Sequence, residues 1–298
     1  MKTRAWISAL RLRTLPLALA SIGMGSFLAA ADHVFKLNVL IWAGLTTVFL
    51  QILSNLANDY GDSVNGADSE HRVGPTRAVQ SGIISAAEMK VGIIIFILLS
   101  FVSGIRLLSE TVGLGTKLFY WFLGFGVLSI VAAYTYTAGK RPYGYAGLGD
   151  IMVLIFFGIL GVGGSYFLYA LQIEYKIILP AISMGALATG VLNINNIRDI
   201  DSDIKAGKNT IPVRFGQKNA TTYHWLLIIV ATITAGAYIY IQGVSAYSFI
   251  WLLGLPLLFI NGYKVATTPI QKDLDPYLKH LALSTLLFMI TFGLAIVL

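Results

Sequence analysis

"IILPAISMGALATGVLNINNIRDIDSDIKAGKNTIPVRFG" occupies residues 177–216. An apolar run long enough to approach a bilayer span ends abruptly in Asp199, Asp201 and Asp203. The same kind of run recurs along the 298 residues, of which 56% are hydrophobic and only 12% charged. Mean hydropathy is +0.75. Soluble domains carry about a quarter charged residues, so the chain reads as an all-α integral membrane protein. Barrel strands would alternate in polarity, and these runs do not.

There is no cysteine, which excludes disulfides, thiolate metal sites and a cysteine nucleophile. The net charge of +7 is read as topology signals and phosphate ligands, with no nucleic-acid partner. The basic, then apolar, then Ala-rich start, "MKTRAWISALRLRTLPLALASIGMGSFLAAADH" (1–33), reads as an uncleaved first span, because it is one of many such runs.

Periodicity and length place nine helices at about 14–31, 37–57, 91–109, 117–138, 150–171, 177–197, 222–242, 247–264 and 278–298, forming one domain over 1–298. With alternating connections, all of the 21 basic residues except Lys36, Arg106, Lys117 and Lys176 fall on the N-terminal side. This excess predicts a multi-pass protein of the cell (inner) membrane, with a cytoplasmic N-terminus and an external C-terminus. The acids share the skew. Only Asp32, Glu110 and Glu174 fall outside.

Most cytoplasmic acids lie in two segments that repeat one pattern. Shifting "NLANDYGDSVNGADSEHRVGPTRAVQSG" (55–82) by 137 positions overlays Asn58 on Asn195, Asp59 on Asn196, Asp62 on Asp199, Pro75 on Pro212 and Arg77 on Arg214. Each copy follows an even-numbered span. Asn55, Asn58, Asp59 and Asp62 share one helical face, as do Asn196, Asp199 and Asp203. Facing lipid, each aspartate would cost up to roughly 3 kcal/mol. Facing one another without cations, they would repel. A water-accessible cavity holding a divalent metal resolves both problems. Oxygen ligands without cysteine or paired histidines favour Mg²⁺ over zinc. Arg72, Arg77, Lys140, Arg141, Arg198, Lys205, Lys208 and Arg214 interleave with these acids, as a metal-bridged polyphosphate requires. Either segment alone reads as a helix cap or solvated loop. The matched pair, on one side of the membrane, reads as a site.

Between spans four and five, "YTYTAGKRPYGYAGLGD" (134–150) groups Tyr134, Tyr136, Tyr143 and Tyr145 around Lys140 and Arg141. The alternatives are an interfacial aromatic belt and a cation-tolerant wall beside phosphate-binding charges. Asp150 is either a helix cap or a substrate contact. Gly158, Gly161, Gly163 and Gly164 are expected to permit close helix packing. The four histidines carry no assigned chemistry.

Together these segments resemble the UbiA superfamily of intramembrane prenyltransferases. The shared elements are Asn58-Asp59-x-x-Asp62, Tyr136-x-x-x-Lys140 and Asp199-x-x-x-Asp203, and the resemblance extends along nearly the whole chain. "NLANDYGDSVNGAD", "RVGPTRAVQSG" and "YTAGKRPYGYAGLGD" look like the branch that prenylates 1,4-dihydroxy-2-naphthoate. One departure is Gly66 where the superfamily commonly has a third Asp, the next acid being Asp68. The resemblance implies two Mg²⁺ ions, held by Asn58, Asp59 and Asp62 and by Asn196, Asp199 and Asp203. It implies a polyprenyl diphosphate bound by Arg13, Arg72, Lys140, Arg141, Arg198 and Lys205, with its tail toward membrane lipid. Catalysis would rest on the four motif aspartates and Lys140, with Tyr134, Tyr136 and Asp150 near the aromatic acceptor. Asp68, Asn195, Arg77, Lys208 and Arg214 take lesser places. Competing readings are another acceptor, such as 4-hydroxybenzoate or homogentisate, and a secondary transporter.

Overall fold

A computed structural model describes residues 2–65 and 77–298. Asp68 and Arg72 lie outside the described residues. Every regular element among the described residues is helical: α1 (Lys2–Leu10), α2 (Leu15–Ala31), α3 (Leu37–Val64), α4 (Ala86–Thr111), α5 (Lys117–Thr135), α6 (Gly149–Ala170), α7 (Ile178–Arg198), α8 (Ile200–Lys205), α9 (Ile211–Gln242), α10 (Leu255–Thr267) and α11 (Asp275–Val297), with short 3₁₀ turns between some of them. Nine helical stretches among the described residues are long and apolar enough to cross a membrane, matching the expected number.

Helices α3, α4 and α9 outrun the expected spans, and α5 stops at Thr135, short of the expected 138, because local start and stop chemistry differs from the edges of the apolar runs. Pro16, Pro212, Pro256 and Pro276 open α2, α9, α10 and α11, where a missing N–H costs nothing and φ is preset. Ser85 and Glu88 form a capping box that starts α4 earlier than its apolar run. The first motif is affected most. Helix α3 continues to Val64, so Asn58, Asp59 and Asp62 lie within its last turns rather than after it. Arg11 takes a left-handed conformation (φ 47°) and turns α1 away from α2.

Helix α7 is the hub. It packs on α6, α9 and α11, and seven of its fifteen buried positions are Ala, Gly, Ser or Thr, which let membrane helices approach closely. Gly158 of α6 lies against Ala181 and Gly185 of α7, and Gly161 against Ser21 of α2. Gly163 and Gly164 have open space where a side chain would be, which corrects the packing expectation for those two. Residues Leu154–Gly164 are wound as a π-helix, a form concentrated at functional sites.

Gly61 positions the end of α3. A Cβ there would come 2.5 Å from the backbone carbonyl carbon of Thr137. Gly61→Ala must therefore push the 136–148 loop outward. The expected outcome is a loss of about 1–3 kcal/mol, read as a lower thermal midpoint in detergent together with reduced activity. An unchanged midpoint would show that the loop yields freely.

Candidate active site

The last turns of α3 bury three polar side chains, Asn55, Asp59 and Asp62, at 2–3% exposure. The two aspartates and the half-buried Asn58 have distinct roles. Asp59 accepts from the backbone N–H groups of Ala78 (3.2 Å) and Val79 (3.3 Å), bracing the chain where it returns toward α4. Asp62 pairs with Arg77 and accepts from the Tyr145 hydroxyl at 2.6 Å. Asn58 accepts from Thr137 Oγ1 at 2.9 Å.

The second motif closes on the first. Helix α7 ends at Arg198, and α8 carries Asp203 onto the same cavity as Asp62. Lys208 joins the two copies, with its Nζ 3.5 Å from Asp62 and 3.2 Å from Asp203. It also stands 4.9 Å from the centroid of the Tyr145 ring. Burial pushes the Asp203 carboxyl up to about 6. Lys208 opposes that push, while Asp199 and Asp62 add to it.

The 136–148 loop stitches the halves together. Asn65 Nδ2 donates to the Thr137 carbonyl (2.8 Å), Asn209 N–H to the Tyr145 carbonyl (2.9 Å), and Arg214 to the Ala146 carbonyl (2.8 Å). Tyr136 and Tyr143 meet edge to face and line the cavity. Burial raises both phenols, Tyr143 to about 12, and Tyr136 also feels Tyr143 and nearby carboxylates.

Asp62, Asn58, Asn195, Asn196, Asp199, Asp203, Arg13, Arg77, Lys208 and Tyr136 all line one cavity of about 490 Å³. Along α3 its wall runs from Asp62 to Ala43, a depth of about 28 Å at the helical rise. Away from the motif end large apolar side chains such as Phe122, Phe156, Phe157, Leu160 and Leu168 predominate, among scattered serines and threonines and the amide of Gln51.

Several expected residues lie elsewhere. Lys140, Arg141 and Lys205 are exposed and do not line this cavity. Asp59 borders a smaller neighbouring one of about 300 Å³ with Arg11, Arg13, Arg77 and Arg198. Arg198 is buried among Asn195, Asp199 and Asp275, so it acts as a strut rather than an open phosphate ligand. Arg13 pairs with Asp275 at 3.2 Å. Tyr134 packs in a hydrophobic cluster. Asp150 is buried off the cavity, with an unpartnered Oδ1. Thr137, which holds Asn58, carries no mark in the sequence, and Tyr145, which holds Asp62, stands there only as one of the grouped tyrosines. What signal there was lay in position, since both stand in the quoted 134–150 stretch.

Among the described residues no three His, Asp or Glu side chains converge as a ready-made metal cage. The donor set instead fits a hard cation that borrows ligands. Mg²⁺ is typically held by one or two carboxylates and completes its shell from water and phosphate. The buried carboxylates Asp62, Asp199 and Asp203 share a cavity with the unpartnered hydroxyl of Thr210.

Among the described residues, nine candidate spans and two acidic motifs that meet at one end of a deep, mostly apolar cavity suit an enzyme acting on an amphiphile within the membrane. The chain matches the UbiA prenyltransferase family over residues 18–284, and it belongs to that family. It is 46% identical over 297 residues to the 1,4-dihydroxy-2-naphthoate octaprenyltransferase of Haemophilus influenzae, covering 99% of this chain and 96% of that protein. The Escherichia coli (strain K12) protein of the same description is 46% identical over 275 residues, with coverage of 92% and 87%. Among solved structures, a UbiA homolog from Aeropyrum pernix K1 superposes with a TM-score of 0.68 at 18% identity, covering 97% of this chain and 98% of that one. A UbiA homolog from Archaeoglobus fulgidus bound to GPP and Mg²⁺ gives 0.62 at 19% identity, with coverage of 96% and 98%. At these identities the structural likeness is one of fold.

Proposed function

We propose that this protein transfers a polyprenyl group from polyprenyl diphosphate to 1,4-dihydroxy-2-naphthoate in the bacterial inner membrane. CO₂ and pyrophosphate leave, and the product is the reduced form of demethylmenaquinone, a step of menaquinone biosynthesis. The carrying observation is Lys208 bridging Asp62 and Asp203 at the polar mouth of a cavity that is mostly apolar below. Identity of 46% across nearly the full length of two proteins described as carrying out this transfer supports the acceptor assignment. The basic excess at the motif end supports placing that end in the cytoplasm.

Asp62, with Asn58, and Asp199 and Asp203, with Asn196, are suited to hold Mg²⁺, one ion per motif. Bound there, the metal would neutralise charge developing on the departing pyrophosphate. Lys208 and Arg77 add fixed positive charge at the same end. The C1–O bond of the prenyl diphosphate breaks, and its electron pair leaves with pyrophosphate. The faces of Tyr136 and Tyr143 shelter the allylic cation, and the apolar lower cavity keeps water from it. The ring carbon bearing the carboxylate forms the new C–C bond. Loss of CO₂ returns an electron pair and restores aromaticity.

Purified protein given Mg²⁺, octaprenyl diphosphate and dihydroxynaphthoate should yield the prenylated naphthalenediol by mass. Consumption of 4-hydroxybenzoate instead would overturn the acceptor assignment. Absence of any prenyl transfer would overturn the reaction class.

A further inference from the structure

The cavity wall of α3 carries an amide well inside the membrane. Gln51 is half-buried, lines the cavity and lies eleven residues before Asp62, about 16 Å along the axis. A polar side chain at this depth is costly unless it serves a cavity.

Its orientation follows from a chain of fixed donors. The Leu10 carbonyl can only accept, and the Asn55 amide lies 2.9 Å from it, so that atom is Nδ2. The same nitrogen reaches Thr14 Oγ1 at 3.1 Å. Asn55 therefore turns Oδ1 toward Gln51, which must approach with Nε2, at 3.3 Å. Gln51 thus points one turn toward the motif end, and its Oε1 is the atom left for the cavity. The relay ends in the left-handed turn at Arg11, whose carbonyl accepts from Thr14 Oγ1 at 3.0 Å, so the amide is anchored on two elements.

We propose that Gln51 Oε1 accepts a hydrogen bond from a ring hydroxyl of the aromatic acceptor and that Asn55 is the positioning residue that fixes this polarity. The inference rests on the prenyl-transfer reading above. The diphosphate sits at Asp62 and Lys208, and the reacting ring carbon must lie within contact distance of C1, roughly 3–3.5 Å. The ring then hangs just below the diphosphate, within reach of the rising Gln51 side chain. As the ring gives electrons to the prenyl carbon, its hydroxyl becomes a stronger donor. An acceptor held there stabilises the transition state more than the ground state.

The test is a cycle between Gln51→Leu and the mono-methyl ether of the dihydroxynaphthoate, which cannot donate at the blocked oxygen. In wild-type protein the ether matching the Gln51 contact should lower kcat/KM about tenfold, the upper range for one neutral hydrogen bond. Gln51→Leu should lose about the same on the free acceptor and lose little more on that ether, while KM for the prenyl diphosphate holds. Gln51→Glu, which keeps an acceptor oxygen, should recover part of the loss. The proposal is overturned if Gln51→Leu matches wild type on the free acceptor. It is also overturned if neither ether's penalty shrinks in the variant, or if KM for the prenyl diphosphate rises in step, which marks a structural prop. No turnover of dihydroxynaphthoate by wild-type protein would instead remove the reading beneath it.

Discussion

Asp203→Asn is expected to lower kcat/KM by at least about a thousandfold, equivalent to some 4 kcal/mol of transition-state stabilisation. The carboxylate is 5% exposed, faces Asp62 across Lys208 and belongs to the cavity's polar mouth. Asparagine preserves its shape and one oxygen but removes the charge that would hold a divalent cation. The fold should tolerate the change, because Lys208 keeps Asp62 as a partner. The check is turnover at saturating Mg²⁺ alongside a thermal midpoint in detergent. Near-wild-type turnover in a folded variant would remove Asp203 from the metal assignment. Asp59→Asn offers a contrast, since Asp59 accepts two backbone N–H bonds beside the smaller cavity. Its loss should show first in stability.

Lys208→Met should split two quantities that usually move together. Turnover is expected to fall about a hundredfold, because a fixed cation beside the departing pyrophosphate disappears. The apparent affinity for Mg²⁺ should rise. In the native arrangement Lys208 occupies charge space between Asp62 and Asp203 that a metal would otherwise dominate. A unit charge at about 4 Å is worth some 4 kcal/mol at an effective dielectric of 20. Methionine keeps the stem and deletes that competition. A Mg²⁺ titration of initial rates decides the matter. An unchanged maximal rate with an unchanged half-saturating Mg²⁺ concentration would show that Lys208 is only a structural tie.

The span number, the helical class and the two acidic motifs were legible because each leaves a local mark: an apolar run, a period, a repeated Asn-Asp spacing. The convergence of the motifs was also legible, since the shift of 137 positions relates them and equal helix parity puts them at one end. What each charged side chain does there was not. Arg198 and Lys208 look alike as basic residues near Asp203, yet one is buried among carboxylates while the other bridges the halves. That difference depends on Asp275, far along the chain on α11. Lys140 and Arg141 were prominent by motif, but a tight turn leaves them exposed. Gln51 left no mark, because one amide in an apolar run barely changes its hydropathy. Its meaning comes from Asn55 and a carbonyl at Leu10.

The deep, oily part of the cavity has a thermodynamic consequence. A prenyl tail that enters from the bilayer leaves hydrocarbon, not water, and so gains almost nothing from leaving its surroundings. Acyl chains of ordinary phospholipids can solvate the same walls, and each substrate exchanges with one of them at nearly zero net free energy. Grip must then come from the headgroup alone. Tails of different length should therefore bind with similar affinity wherever the cavity walls leave room for them.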